Sequence, residues 1–344
     1  GQAKFHHRPP AGPWHYLRRA AIEPTLRVLS RMLPSSGGYL EAVPLTSFVL
    51  MCLADIGRGD HPVAVRAVDF LLASRLHDGS LPIDTNLATW TTSLSISALH
   101  YASRVRPTGT DSIGTDATGT DELGAAANRE ASTTAAVGTS HAEFSGAPSI
   151  SNHAAGDHAA GDHAAGETAV RVSTIRWLLS CQHWSDHPFT GASPGGWGWS
   201  NLSGAVPDAD DTPAALIALS KWLSQRASTM PLLDLQMAHA AAQGLRWLLD
   251  LQNRDGGWPT FCRGWGTLPF DRSGSDLTAH AVRALEAWRQ QPQRLQPNMA
   301  RSILAAIPRA TERAFRFLEK RQNEDGSWFP LWFGNQDRQD EENP

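Results

Sequence analysis

Paired cysteines are missing from this chain. Its three cysteines, Cys52, Cys181 and Cys262, stand far apart in 344 residues, an odd number that cannot all close bridges. They also lack the close pairing of a zinc site, so the simplest reading is a reducing compartment. No run approaches the apolar length of a secretion signal or a membrane span, and peripheral membrane binding stays open. An excess of charge is lacking too. Thirty Lys and Arg against 34 Asp and Glu give a formal net charge of -4. The basic residues are scattered along the sequence rather than grouped, which speaks against nucleic acid or an acidic ligand as partner. Nor does any segment alternate apolar and polar residues with a period of two, so an all-α fold is expected.

What the chain does have is apolar content for a real core, enough for one large domain or two ordinary ones. After a polar tail over 1–13, helices are expected over Trp14–Leu33, Pro44–Ile56, Pro62–Leu76 and Trp90–Val105, from their apolar spacing and from the prolines and glycines that bound them. These make a first helical part over 14–105. From Arg106 to Val170 the composition turns to Gly, Thr, Ser, Ala and Asp, with HAAGD recurring around His153, His158 and His163. So few large apolar groups cannot offset chain entropy, and 106–170 reads as a disordered insertion. A second helical part follows over 171–344.

That second part repeats itself. STIRWLLSCQ with PGGWGW, GLRWLLDLQNRDGGW and RAFRFLEKRQNEDGSW each set an apolar helix, a glutamine, a glycine turn and a tryptophan in that order. HPVAVRAVDFLLASRLHDGS, from His61, is a degenerate earlier copy. Gln182, Gln252 and Gln322 are placed to bond turn backbone, and Trp197, Trp258 and Trp328 to cover helix ends. Second helices, Ala214–Gln225, Leu277–Arg289 and Met299–Ala310, fall between the units. Alternating helices with short glycine turns predict an α/α barrel, or toroid, of helical hairpins.

The chemistry concentrates in GGWGWSNLSGAVPDADDTP, where Asp208, Asp210 and Asp211 crowd together after Trp197 and Trp199. Like charges that close raise one another's proton affinity. Thr212 and Pro213 read as the N-cap and first position of the next helix, so free amides would support a carboxylate left by proton loss. This is a design for a strong acid, and equally that of a capping cluster on a solvated turn. His280 falls on the apolar stripe of the helix after Asp276, which fits either a satisfied core histidine or an imidazolium beside Asp208 or Asp210.

The Gln/Gly/Trp repeats, DADDTP after GGWGW, and the downstream SDLTAH together resemble the squalene-hopene cyclases and their class II terpene cyclase relatives. GGYLEAVPLTSF, ATWTTSL and DGSWFPLW extend the resemblance over most of the chain outside the insertion, which looks like the middle of a cyclase. The resemblance implies two α/α barrel domains around an apolar cavity, in which a squalene-like C30 polyene is protonated and cyclised without metal or cofactor. It implies Asp210 as proton donor, Asp208 and Asp211 as supporting carboxylates, His280 as the partner that sharpens its acidity, and Asp276 in the reprotonation network. Trp199, Phe261 and Trp90 would face the developing cations, each desolvated aromatic face contributing about 1–2 kcal/mol, and Trp197 and Trp332 would join them in binding the substrate. Peripheral attachment to the inner face of the cytoplasmic membrane is implied, and a homodimer is left open.

The sequence departs from the family's pattern at Pro213, where alanine is more usual, at Thr91 after Trp90, where aspartate is usual, and in a short link from Trp258 to Asp276. Three alternatives stand beside the squalene-type reading. One is a class II diterpene or sesquarterpene-type cyclase. The others are a zinc-dependent protein prenyltransferase β subunit, for which Cys181 and Cys262 lack convincing companions, and a non-catalytic isoprenoid-binding toroid.

Overall fold

A computed structural model describes residues 12–105, 170–188, 190–224, 230–265 and 269–331. The expected disordered insertion, apart from Val170, lies outside the described residues, as do residues 1–11 of the tail and Trp332. All described residues but Val105 belong to one compact unit. Its helices are α1 (Pro13–Met32), α2 (Val43–Asp55), α3 (Pro62–Ala73), α4 (Ala88–Val105), α5 (Val172–Ser180), α6 (Asp211–Ser224), α7 (Pro231–Leu251), α8 (Ser275–Arg289) and α9 (Pro297–Arg321). Strand is confined, among the described residues, to β1 (Trp258–Pro259) and β2 (Ser273–Gly274), paired antiparallel with Trp258 opposite Gly274. The fold is all-α. No described helix is long and apolar enough to cross a membrane.

Two layers emerge from which helices touch. α6 lies beside α8 in one, α7 lies between α5 and α9 in the other, touching both, and α6 on α7 and α8 on α9 join the layers. Helix α6 is buried at every residue from Asp211 to Ser220, as expected of a helix apolar on all sides. Helix α9 shows the opposite pattern, burying one stripe of Ala300, Ile303, Ile307, Ala310, Ala314 and Phe317. That stripe corrects the sequence expectation of a helix ending at Ala310 with a separate one after it. Pro308 removes one backbone bond, but both halves bury the same face, so the helix runs on as one piece.

The repeats have a physical basis. Gln182, Gln252 and Gln322 fall 70 residues apart. Gln182 Nε2 donates to the carbonyls of Gly195 (2.7 Å) and Ala240 (2.9 Å), and Gln252 Nε2 to those of Gly256 (2.8 Å) and Ala310 (2.9 Å). Gln182 and Gln252 thus tie their own turns to α7 and α9, whereas Gln322 bonds its own turn at Gly326. The tryptophans close the same turns from the other side. Trp197, Trp258 and Trp328 donate their indole N–H to the carbonyls of Leu178, Leu248 and Leu318 at 2.7–2.9 Å, each four residues before the glutamine. The copy at His61 lacks both residues yet keeps the turn: Leu76 donates to the Ser80 carbonyl at 2.9 Å, as Asn253 does to Gly257 at 2.9 Å.

One further copy was not visible in sequence. Tyr39 follows Gly37 and Gly38, and its hydroxyl donates at 3.0 Å to the carbonyl of Leu29, the same ten-residue reach as Trp258 to Leu248. Its amide is received by the Thr46 hydroxyl at 2.9 Å, as those of Trp197 and Trp258 are received by Thr212 (2.9 Å) and Thr278 (3.0 Å).

Candidate active site

The acidic run is gripped between two repeat turns. The amide of Asp208 donates to the Trp197 carbonyl at 3.0 Å and that of Ala209 to the Thr260 carbonyl at 3.2 Å. Asp208 also pairs with Phe261 in an isolated antiparallel bridge. Helix α6 then begins at Asp211, two residues before the Pro213 start that a Thr212 cap would give. The expected capping role passes to Asp208, whose Oδ1 accepts the amides of Asp210 (2.9 Å) and Asp211 (2.6 Å). Thr212 instead accepts the Trp197 amide and donates back to the Trp197 carbonyl at 3.2 Å. A hydroxyl inside the first turn is free for this because the preceding carboxylate already serves the helix start.

Burial separates the three aspartates. Asp208 and Asp211 are 2% and 3% exposed, whereas the Asp210 side chain is 44% exposed. Burial, with the neighbouring charges of Asp211 and Asp210, holds Asp208 well above the usual carboxylate range, against the two amides that favour its charged form. Burial first, and the Asp210 charge second, push Asp211 up to about 7, while its hydrogen bond with Asp208 works the other way. Both buried carboxyls therefore keep their protons to higher pH than a free aspartate does, and Asp210 is the member of the three that opens outward.

Opposite the acidic run stands α8. His280 Nδ1 lies 2.9 Å from Asp210 Oδ1, with the histidine side chain 17% exposed. Thr278, two residues before it, is locked by its hydroxyl to the Gly274 carbonyl (2.6 Å) and the Trp258 amide, which fixes the helix start. Asp276 is exposed in the first turn of α8, one turn before His280.

Of the aromatic residues picked out in sequence, two lie together: the rings of Trp199 and Phe261 are 6.0 Å apart at 65°. Trp90 approaches through the backbone, its amide and that of Thr89 reaching the Trp199 carbonyl at 3.4 and 3.0 Å, so the start of α4 sits on the loop that carries Trp199. Trp197 is wholly buried, its indole committed to Leu178 and its ring against Gly244 of α7. Sequence reasoning missed Trp265 and Phe270, each 5.2–5.4 Å from Phe261 and 5.3 Å from one another in edge or tilted contact. Their signal was the run of aromatics in the short link between Trp258 and α8. Together they extend Phe261 into an aromatic wall next to Asp208.

A carboxylic acid cluster with one open member, a histidine on that member and aromatic rings alongside make a candidate acid site on an α/α repeat fold. The chain belongs to the squalene-hopene cyclase family of class II terpene cyclases: the family model of the squalene-hopene cyclase C-terminal domain matches residues 157–336. Among its relatives, sporulenol synthase of Bacillus subtilis is 29% identical over 155 residues, covering 40% of this chain and 20% of that protein. Squalene-hopene cyclase of Zymomonas mobilis is 27% identical over 144 residues, covering 40% and 20%. Enfumafungin synthase efuA of Hormonema carpetanum is 27% identical over 173 residues, covering 46% and 12%. The matches thus span a fifth or less of the length of these curated relatives.

Proposed function

We propose that this chain carries the proton-donating site of a cyclisation in which an apolar polyene of the squalene type is closed to a polycyclic triterpene, with Asp210 as the acid. The contact of Asp210 with His280 at 2.9 Å carries the reading. His280 donates its Nδ1–H to Oδ1 of Asp210, leaving the acidic proton on the other oxygen. Protonation of a terminal alkene forms a C–H bond, breaks the O–H bond of Asp210 and leaves a tertiary carbocation and a carboxylate. That carboxylate stands at the N-terminus of α6, beside the imidazole, where it is best supported. The polyene's remaining alkenes then close on the cation in turn, and transfer of a proton from the carbon next to the last cation to a water molecule ends the reaction as an alkene. Trp199, Phe261 and Trp265 offer ring faces to such cations without a base to capture them. Asp208 and Asp211, whose burial raises their proton affinity, stand beside Asp210 as the groups through which a proton from solvent reloads it.

The test is incubation of the folded chain and an Asp210→Asn version with squalene and with geranylgeranyl diphosphate, with products read by mass spectrometry. A cyclic C30 product that disappears in the variant is the expected result. A product from the diphosphate alone would move the substrate to the diterpene class. Equal turnover by both chains, or none from the folded chain, would remove the assignment.

A further inference from the structure

Positive charge that is scattered in sequence is gathered in space. A cleft of about 730 Å³ lies between the turn after α7 and the last turns of α9, lined by Arg254, Arg313, Arg316, Lys320 and Arg321 with one acid, Asp255. Five cations and one anion make it strongly positive on a chain of net charge -4. The acid has one oxygen committed to the turn, its Oδ1 accepting the Gly257 amide (3.1 Å) and the Ser273 hydroxyl (2.7 Å).

The fold itself uses part of this charge. Arg313 donates to Gln252 Oε1 (3.1 Å) and to the carbonyls of Asn253 (2.6 Å) and Arg254 (3.3 Å), so it is a fixed wall. Arg316 meets Glu312 at 3.5 Å with both side chains largely exposed. Lys320 and Arg321 complement the C-terminal end of the α9 dipole. None of this explains Arg254, and among the described residues Arg254, Lys320 and Arg321 form no ion pair. Arg321 is instead held over the Phe317 ring, 5.6 Å from its centroid. Like charges packed this closely repel one another unless an anion sits among them. Guanidinium forks on a concave wall match phosphate oxygens in pairs. In the segment that follows α9, Trp328 and Phe329 stand exposed, the Trp328 indole pinned to the Leu318 carbonyl of α9. Exposed aromatics that follow a helix ending in Lys320 and Arg321 suit the headgroup layer of a bilayer.

We propose that this cleft binds a phosphate group, either on the headgroup of an anionic phospholipid or as free diphosphate. The proposal is independent of the role given to Asp210. The experiment compares the full chain, an Arg254→Gln/Lys320→Gln/Arg321→Gln variant, and a control with the same charge loss on the exposed face of α1, Arg18→Gln/Arg19→Gln/Arg27→Gln. Arg313 is left untouched because it holds the turn. Co-sedimentation with phosphatidylglycerol and with phosphatidylcholine vesicles, and calorimetry with inorganic pyrophosphate, are run at about 0.15 M salt, where diffuse surface charge is screened. Binding to phosphatidylglycerol or to pyrophosphate that weakens about tenfold or more in the cleft variant, and not in the control, is expected from losing charge-assisted contacts. Vesicle binding without pyrophosphate binding assigns the headgroup, and pyrophosphate binding assigns the free anion. No binding by the parent chain, undiminished binding by a folded cleft variant, or equal loss in both variants would overturn the proposal.

Discussion

Asp210 and His280 stand 70 positions apart in the chain and 2.9 Å apart in space. Nearly the same offset recurs along α6 and α8 and just past the end of α8: the Trp288 indole donates to the Leu216 carbonyl at 2.9 Å and Gln291 Nε2 to the Ser220 hydroxyl at 2.7 Å, 72 and 71 positions away. Helices α6 and α8 are therefore parallel neighbours held in register at several levels. The contact between acid and histidine is one rung of that register, which makes its geometry a property of the repeat and not of a single flexible pair.

The first prediction concerns His280. Replacing it by leucine removes the group that faces Asp210 Oδ1, and in the cyclisation assay the rate is expected to fall by about 10²–10⁴-fold, the usual worth of a positioned acid-base partner. His280→Gln keeps an N–H within reach of the same oxygen and should recover part of the loss. Equal rates for the two variants would separate His280 from the proton transfer.

A second prediction is pH dependence with a definite sign. An unfolded aspartate titrates near 3.9, whereas Asp211 in the fold is pushed up to about 7. Between those values the folded chain holds a proton that the unfolded chain has released, so stability falls as pH rises from about 4 through about 7. Asp208, also raised, acts in the same direction. Asp211→Asn removes the titrating group while keeping its size. Relative to the parent, this variant should gain on the order of 2–3 kcal/mol between pH 5 and pH 8 in urea unfolding. A difference that stays constant over that range would show that Asp211 does not hold the proton.

The glutamines give a graded series. Gln182 is buried and makes two bonds across the repeat, Gln252 is half-buried and makes two plus one accepted from Arg313, and Gln322 is exposed and makes one, to Gly326. At about 1 kcal/mol net per bond, with more for a carbonyl left buried and unmet, Gln182→Ala and Gln252→Ala should each cost about 2–4 kcal/mol and Gln322→Ala under about 1. Chemical denaturation of the three variants measures this. Equal losses at all three positions would contradict the bridging role.

Much of this was legible in sequence because it is local or periodic. The helix, glutamine, glycine and tryptophan order announced the all-α fold, and crowding of Asp208, Asp210 and Asp211 marked the site before any distance was known. What escaped depends on contacts that no spacing encodes. Tyr39 does the work of a repeat tryptophan with a hydroxyl in place of an indole, and Leu33 stands where that copy would have its glutamine. Thr212 has the composition of a helix cap, but Asp208, four residues earlier, satisfies the helix amides and frees it to hold Trp197. Arg254 and Lys320 are 66 positions apart, so the grouping of basic residues is invisible until α9 folds back on the turn after α7.

The turn that brings them together supplies the final prediction, a comparison of two glycines in the left-handed region. Gly256 has φ +100°, and a Cβ there would stand 2.3 Å from the carbonyl oxygen of Arg313; Gly264 has φ +107° with nothing within 4 Å. Alanine at Gly264 meets only backbone strain, about 1–2 kcal/mol. At Gly256 the same strain is joined by a clash with helix backbone, which cannot rotate away. Helix α9 must shift, loosening the Gln252 bond to Ala310 and the Arg313 bonds to the turn. Gly256→Ala should therefore cost about 3 kcal/mol or more. If urea unfolding shows the two variants equally destabilised, the close approach of α9 to this turn does not support the fold, and the cleft between them would have to be rigid for some other reason.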